Sequence, residues 1–317
     1  MTRRAWMRLR AGMAAATLAL GLGGAAATPA CPPPPAPPSA AQWQAAQRDA
    51  RDVGLLWRLS KDGRDSWLFG TIHVGKLAWS APGPALRQAL ARSDVLALEI
   101  DPTDAQIATR LQQASRDAPP ADEALHQRLQ AQAVAACLGG DALQGLHPML
   151  QVLTLTLLQA RQDGLDAAFS QELMLATAAR AAGLRIVALE SVEQQFAALL
   201  PQDPSQMQRL LDESLGQLER GRASPVLRRL AEAWAAGDLE TLERHAEWCE
   251  CADTEAQRAW LRRLNDERNA HLAQGIDALH MRGQRVFAAV GALHMTGAQA
   301  LPGLLRQQGY KVQRVAW

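Results

Sequence analysis

One stretch of the chain indicates the fold more directly than the rest: residues 66–74, Ser66-Trp67-Leu68-Phe69-Gly70-Thr71-Ile72-His73-Val74. It is a short apolar run, typical of a buried strand, and it carries a Gly-x-x-His pattern at its end. The same pattern, Gly291-Ala292-Leu293-His294, closes a second apolar run over residues 285–294. Two strands that end alike predict two similar strand–helix–strand halves of one sheet.

Other apolar runs alternate with helical sequence around these two strands. Residues 55–59 and 66–74 flank a turn-rich segment and predict a β-hairpin. Further strands are predicted at 95–100, 184–190 and 310–315, and helices at 40–52, 84–93 and 299–308. Two long stretches, 103–182 and 192–281, predict large helical insertions. Together they predict one α/β domain over residues 40–317 with a mostly parallel central sheet.

The start of the chain predicts export. Residues 1–10 carry four Arg and no acid, and residues 11–27 form an almost entirely apolar run that ends in three alanines. This pattern is typical of a secretory signal peptide. Residues 28–39 are rich in proline and predict a linker. We therefore expect a periplasmic or secreted protein. Cys31 leaves open a lipid-modified N-terminus, and only that modification would attach the protein to a membrane.

Charge and aromatic content exclude one class of partner. The chain has 33 Lys and Arg against 32 Asp and Glu, a net charge of +1. Without residues 1–27, 29 bases face 32 acids, and the net charge is −3. With no basic excess, one Tyr and four Phe, the sequence predicts no binding to nucleic acid.

The cysteines leave a choice of disulfide bonds. In an oxidising compartment, Cys137 could bond to Cys249 or to Cys251, or the last two could bond to each other. A zinc site at Cys249-Glu250-Cys251 is disfavoured because the usual His and Cys spacing is missing. We expect these cysteines to have a structural role.

Four predicted strands end in a residue with metal-binding or acid–base chemistry, namely His73, Glu99, Glu190 and His294. Ligands collect at the carboxyl ends of parallel strands, so we expect these side chains at one edge of the sheet. Two imidazoles and a carboxylate can hold a divalent metal with one position open for water, and a second Glu can act as general base.

Each of these residues also has an ordinary structural reading. The histidines and glutamates could be solvated strand ends. Glu193 could act in the site, or it could support a helix N-terminus from the first turn. Gly70 and Gly291 suit a sharp bend or a close approach of the backbone.

Arg268 stands out by its position on a predicted helix. The apolar stripe of that helix runs through residues 261, 264, 268, 272, 276 and 279, so Arg268 faces the core. A guanidinium there needs a carboxylate partner. We expect Arg268 to orient a Glu or to stabilise an oxyanion, with Asn269 adding an amide hydrogen bond; the alternative is a purely structural buried pair.

Taken in order, these motifs resemble the TraB/GumN family, which includes the Tiki-type metalloproteases and is related in fold to the ChaN-like and erythromycin-esterase-like proteins. The matching stretches cover nearly the whole predicted domain: residues 68–75, 96–99, 164–166, 183–195, 268–269 and 290–297. Where the family usually has Leu-Glu-Thr-x-Glu-Glu-Gln, residues 189–195 read Leu-Glu-Ser-Val-Glu-Gln-Gln. Gln194 thus replaces a Glu, and Glu190 and Glu193 remain.

The resemblance implies a function and a set of roles. His73 and His294 would be metal ligands, Glu99 and Glu190 ligands or base, and Arg268 the active-site arginine. The metal would be manganese, cobalt or zinc, and the substrate a peptide or protein. We therefore predict an exported metal-dependent hydrolase that acts as a peptidase. The alternative is a non-catalytic protein that binds haem, a metal or a peptide on the same fold.

Overall fold

The computed structural model describes residues 36–116 and 121–317. The predicted leader, Cys31 and most of the predicted linker lie outside these residues, so the predictions made for them remain sequence-based. The described residues belong to one compact unit. None of the helices within it is long and apolar enough to cross a membrane.

A six-stranded mixed sheet forms the centre of the molecule. Its strands are β1 (Leu55–Lys61), β2 (Arg64–Thr71), β3 (Val95–Leu98), β4 (Arg185–Ala188), β5 (Val286–Gly291) and β6 (Lys311–Arg314), in the order β4-β3-β5-β2-β1-β6. The first four in that order are parallel neighbours, whereas β1 is antiparallel to both β2 and β6. The predicted α/β fold with a mostly parallel sheet is confirmed.

Local sequence explains the antiparallel edge. Strands β1 and β2 are joined by Asp62-Gly63, both with positive φ (51° and 72°), which is the two-residue turn whose twist matches a hairpin. The central strands are parallel, and strands of a parallel sheet are buried on both faces. All four residues of β3 are fully buried, since helices cover both faces of a parallel sheet.

The helices supply these covering layers. Outside the insertions they are α1 (Ala40–Arg48), α2 (Pro84–Ala91) and α13 (Leu301–Gln307). The first predicted insertion contains α3 (Ile107–Arg116), α4 (Glu123–Ala135), α5 (Pro148–Gln159) and α6 (Gln171–Ala181). The second contains α7 (Val192–Leu199), α8 (Pro204–Glu219), α9 (Ala223–Ala235), α10 (Leu239–Glu243), α11 (Glu255–Leu264) and α12 (Asp266–Met281).

Two of these helices pack on the sheet and so bring their side chains to its carboxyl edge. Helix α6 packs against β3 and β4, and α12 packs against β5. Parts of the insertions instead build a core of their own. An apolar cluster between α4, α5 and α8 includes Leu129, Val152 and Leu215.

The structure also decides the disulfide pairing. Cys249 and Cys251 are bonded to each other, with Cα atoms 5.0 Å apart. A bond from Cys137 to either of them is therefore excluded. Cys249 is almost completely buried, so the bond closes a tight loop between α10 and α11.

Candidate active site

The carboxyl ends of the four parallel strands lie at one edge of the sheet. Because the strand order is β4-β3-β5-β2, the residues that follow these strands line that edge in the order Glu190, Glu99, His294 and His73. Backbone hydrogen bonds continue past the strand ends, from Glu190 N–H to Glu99 O at 2.9 Å. The structure thus places the four strand-end residues predicted from the sequence side by side.

The two Gly-x-x-His motifs occupy adjacent strands. Gly70 of β2 pairs with Val290 of β5, one residue before Gly291. A Cβ at Gly70 would lie 3.2 Å from Ala292 Cα, so glycine allows β2 to approach the turn that carries His294. That turn is a 3-10 turn over Ala292–Met295, whereas the sequence predicts a strand as far as His294.

Gly291 also has a direct contact with the site. Its backbone N–H donates a hydrogen bond to Glu99 Oε1 at 2.7 Å. A Cβ at this position would lie 3.4 Å from the same oxygen and 3.5 Å from His294 Cδ2. The glycine therefore leaves room for the two side chains that meet in front of it.

Arg268 holds the two glutamates of the edge. Its Nε donates to Glu190 Oε1 at 2.9 Å, and its Nη2 donates to Oε2 of both Glu190 and Glu99. Nη1 donates to Leu264 O at 2.9 Å. The three side chains are 14%, 3% and 13% exposed for Arg268, Glu190 and Glu99. Two like charges can share this buried place because the guanidinium lies between them.

Gln195 is a member of this cluster that the sequence did not single out as a site residue. Its Nε2 donates to Glu99 Oε2 at 3.1 Å and to Glu190 Oε2 at 3.3 Å. A capping box of Ser191 and Gln194 starts α7 and so sets the direction of this helix. Gln194, which stands where the family has a Glu, is thus used in the cap.

Glu193, in contrast, lies apart from the cluster. Its side chain is 67% exposed, and its ion-pair partner is Arg110 at 3.8 Å. It occupies the first turn of α7, as the alternative reading proposed. Within the described part of the chain, no hydrogen bond or ion pair joins its side chain to Glu99, Glu190 or Arg268.

The charges of the cluster define the protonation states of two residues. Burial disfavours ionised Glu99, but the neighbouring His294, Arg268 and His73 and the Gly291 N–H outweigh it and lower the pKa of Glu99 to about 2. Burial lowers the pKa of His294, whose side chain is 4% exposed. At neutral pH, Glu99 is therefore ionised and His294 is neutral.

Asn269 selects the tautomer of His294. The Asn269 Nδ2 group donates to Gln299 O at 2.8 Å, which turns Oδ1 toward His294 Nδ1 at 2.6 Å. A neutral imidazole must donate to that oxygen, so Nδ1 carries the proton. The unprotonated Nε2 then faces Glu99 Oε1 at a distance of 3.8 Å.

His73 lies at the more open end of the edge, with 66% of its side chain exposed. Its Nδ1 is 3.1 Å from Oε1 of Glu172, a residue that the sequence did not single out. Glu172 raises the pKa of His73 to about 9, although the exposure of the ring allows solvent to screen part of this attraction. No sequence signal separates Glu172 from other acids in the first turn of a helix, because its partner is 99 residues away.

A divalent metal fits part of this arrangement. Metal–nitrogen and metal–oxygen bonds of about 2.1 Å span at most about 4.2 Å, so an ion fits between His294 Nε2 and Glu99 Oε1. A neutral imidazole and an ionised carboxylate are also the forms that bind metals. Three or more His, Cys, Asp or Glu side chains do not converge as a ready metal site anywhere in the described residues. His73 acts electrostatically on both Glu99 and His294, and with a pKa of about 9 it would have to lose a proton before it could be the third donor.

Comparison with known proteins agrees with the motifs. The family model of TraB/PrgY/gumN proteins matches residues 55–314, a range that begins with β1 and ends with β6. Neither the curated proteins nor the solved structures include a match. Since the match covers most of the chain and contains every residue of the edge, the chain belongs to the TraB/PrgY/gumN family.

Proposed function

We propose that the protein is a metal-dependent hydrolase that acts on peptides. The proposal is carried by one observation: a buried, neutral His294 directs an unprotonated Nε2 toward an ionised Glu99 at 3.8 Å. This pair of donors needs neither proton loss nor a change of tautomer before it binds a divalent ion. Manganese, cobalt and zinc are all compatible with nitrogen and carboxylate ligands.

In this proposal His294 and Glu99 would hold the metal, and His73 would be the third ligand once it has lost a proton. When bound, the metal would polarise the scissile carbonyl and lower the pKa of a water molecule. The Asn269 amide holds His294 in its productive tautomer, and Gly291 N–H fixes the orientation of Glu99. One carboxylate of the pair Glu99 and Glu190 accepts the proton released from water.

Arg268 is the proposed oxyanion donor. A guanidinium has five N–H groups. Nε uses one, Nη2 directs its two at the glutamates, and Nη1 donates one to Leu264 O. Among the described residues, the second Nη1 hydrogen has no acceptor, so it is available to an oxygen of the substrate.

We also propose that the protein acts outside the cytoplasm. This rests on the basic and apolar pattern of residues 1–27. A peptide or protein would be its substrate, and a membrane would be a partner only through lipidation of Cys31.

Metal content and peptide cleavage test the proposal together. We expect the purified protein to bind one first-row divalent ion and to cleave members of a peptide library when loaded with manganese, cobalt or zinc. His294→Ala should lose both properties, whereas His126→Ala, a matched change on α4 in the helical insertion, should keep both.

Two outcomes would count against this function. Stoichiometric metal without any cleavage would favour the alternative, a non-catalytic protein that binds haem, a metal or a peptide. Equal metal content in the wild type and His294→Ala would remove His294 from the metal site and overturn the proposal.

A further inference from the structure

A cavity lies between helix α2 and the outer strands of the sheet, away from the candidate active site. Its volume is about 420 Å³, which falls within the range of roughly 300–1,000 Å³ that is usual for small-molecule sites. Trp67 is part of its lining, and this residue comes four positions before the end of β2. Four residues of a strand span about 13 Å, so the cavity is separate from the carboxyl edge of the sheet.

The floor of the cavity is one face of the sheet. Arg58 of β1 pairs in register with Trp67 of β2 and with Gln313 of β6, so these three side chains project from the same face. Leu56 comes two residues before Arg58 and shares that face. Both Leu56 and Trp67 are buried. The floor therefore combines apolar surface with one guanidinium.

Helix α2 and the residue that follows it form the opposite wall. The lining residues Ala85, Gln88, Ala89 and Arg92 recur at intervals of three and four and so form one stripe. Among the described residues, no acceptor takes a hydrogen bond from the Arg92 side chain, and no acid lines the cavity. The carboxylate of Asp52 instead caps the start of α2, where it accepts two backbone N–H groups at 2.9 and 3.0 Å.

The polar groups of the cavity are hydrogen-bond donors. Arg58 Nη2 donates to Gln313 Oε1 at 2.6 Å, which leaves the Nε2 group of Gln313 as a donor. Arg58 Nη1 lies 3.9 Å from Asp65 Oδ2, too far for a hydrogen bond. Together with Arg92, these groups form a set of donors without an acceptor among the described residues. Such a set fits a ligand group that only accepts, such as an ionised carboxylate or a phosphate.

Arg314 also lines the cavity, but its guanidinium lies on the other face of the sheet. It pairs in register with Trp57, its guanidinium carbon is 5.9 Å from the centre of the Trp57 ring, and its Nη2 donates to Gly237 O. The positive charge of the cavity therefore comes from Arg58 on the sheet and Arg92 at the end of α2.

We propose that this cavity binds a small amphipathic anion, with its carboxylate or phosphate between Arg58 and Arg92 and its apolar part on Leu56 and Trp67. A guanidinium matches the oxygens of a carboxylate or a phosphate at two points. The apolar floor removes the rest of the ligand from water. The site does not depend on the hydrolase function proposed above, because it shares no residue with the catalytic edge.

Calorimetric titration of the full chain with octanoate, octyl phosphate and neutral 1-octanol tests the proposal. We expect at least one of the two anions to bind as one molecule per chain with a Kd of about 1 mM or below. Octanol should bind about tenfold more weakly or less, since it lacks the charge. The anion that binds more tightly identifies the head group. Octanol binding as tight as that of the anions, or no saturable binding of either anion, would overturn the proposal.

Variants locate the bound anion. Arg92→Ala and Arg58→Gln should each weaken octanoate or octyl phosphate binding by about tenfold or more. Arg87→Ala is the matched control, because it removes an exposed arginine of α2 that is not part of the cavity lining. It should bind like the wild type, and so should His294→Ala. Unchanged affinity in Arg92→Ala, or loss of binding in His294→Ala, would place the anion elsewhere and refute the site.

Discussion

At the scale of single residues, the site depends on one guanidinium between two acids. Glu190 and Glu99 are both nearly buried, and Arg268 is the cation that contacts each of them. The sequence could predict that Arg268 needs a carboxylate, since its helix position faces the core. It could not predict that one arginine serves two glutamates from different strands, because that depends on the order of the strands.

Arg268→Ala should destabilise the protein strongly. The change leaves two carboxylates buried side by side without a cation, and breaking a buried pair in this way costs about 3–5 kcal/mol. Denaturant unfolding measures the effect. Arg262→Ala, which removes an exposed arginine paired with Glu255 on the same surface of α11, should cost no more than about 1 kcal/mol. Similar losses in both variants would show that the buried pair contributes little.

Glu99 should make the stability of the fold sensitive to acid. Its pKa in the folded protein is about 2, below the ordinary value of 4.5. The folded state thus binds this proton less readily than the unfolded state, so Glu99 contributes stability above pH 4.5 that is lost as the pH falls toward 2. The contribution is on the order of 3 kcal/mol. Unfolding curves at several pH values should show it in the wild type, and a Glu99→Gln variant with the same acid sensitivity would contradict it.

At the scale of elements, the positions at which the strands end say more about the site than the strands themselves do. The apolar runs predicted every strand of the sheet, but β2 stops at Thr71 and β5 at Gly291. His73 follows in a bend and His294 in a 3-10 turn. A turn after the strand lets the imidazole point across the edge, where a continued strand would place it on one face. The segment after β2 is held by α6 and the residues before it, as the bridge between Gly75 and Asp166 shows.

Gly75→Ala should disturb this segment. An added Cβ would lie 2.3 Å from Phe169 O, so the backbone after His73 must move away from the start of α6. We expect a loss of about 1–3 kcal/mol in unfolding experiments. Gly303→Ala is the matched control, because a Cβ there meets nothing within 4 Å and lies in helix α13. Equal stability of the Gly75→Ala and Gly303→Ala variants would show that the segment is not tightly held.

At the scale of the whole molecule, one edge of the sheet gathers residues from far along the chain. His73 and His294 are separated by more than 200 residues, yet β2 and β5 are neighbours. The helical insertions build their own apolar cluster between α4, α5 and α8 and also return α6 and α12 to the sheet. A ligand that binds at this edge should therefore change the stability of the whole molecule.

Adding the metal should stabilise the entire fold. A ligand that binds only the folded state at a concentration of about 100 times its Kd adds about 2.7 kcal/mol. We expect Tm to rise with manganese, cobalt or zinc and to return to its starting value with a chelator. His294→Ala should show little of this rise. A rise of equal size in His294→Ala would place the metal elsewhere.

The sequence by itself determined the α/β class, the hairpin, the two insertions, the strand ends that carry His73, Glu99, Glu190 and His294, and the core-facing position of Arg268. These features follow from periodicity and turn chemistry within short windows of the chain. The tertiary structure decided which of these residues meet. It placed Glu172 behind His73 and Gln195 between the glutamates, it left Glu193 outside, and it paired Cys249 with Cys251. Local sequence could not decide this, because each contact within the site depends on strand order and helix packing, which bring together segments that local patterns describe separately.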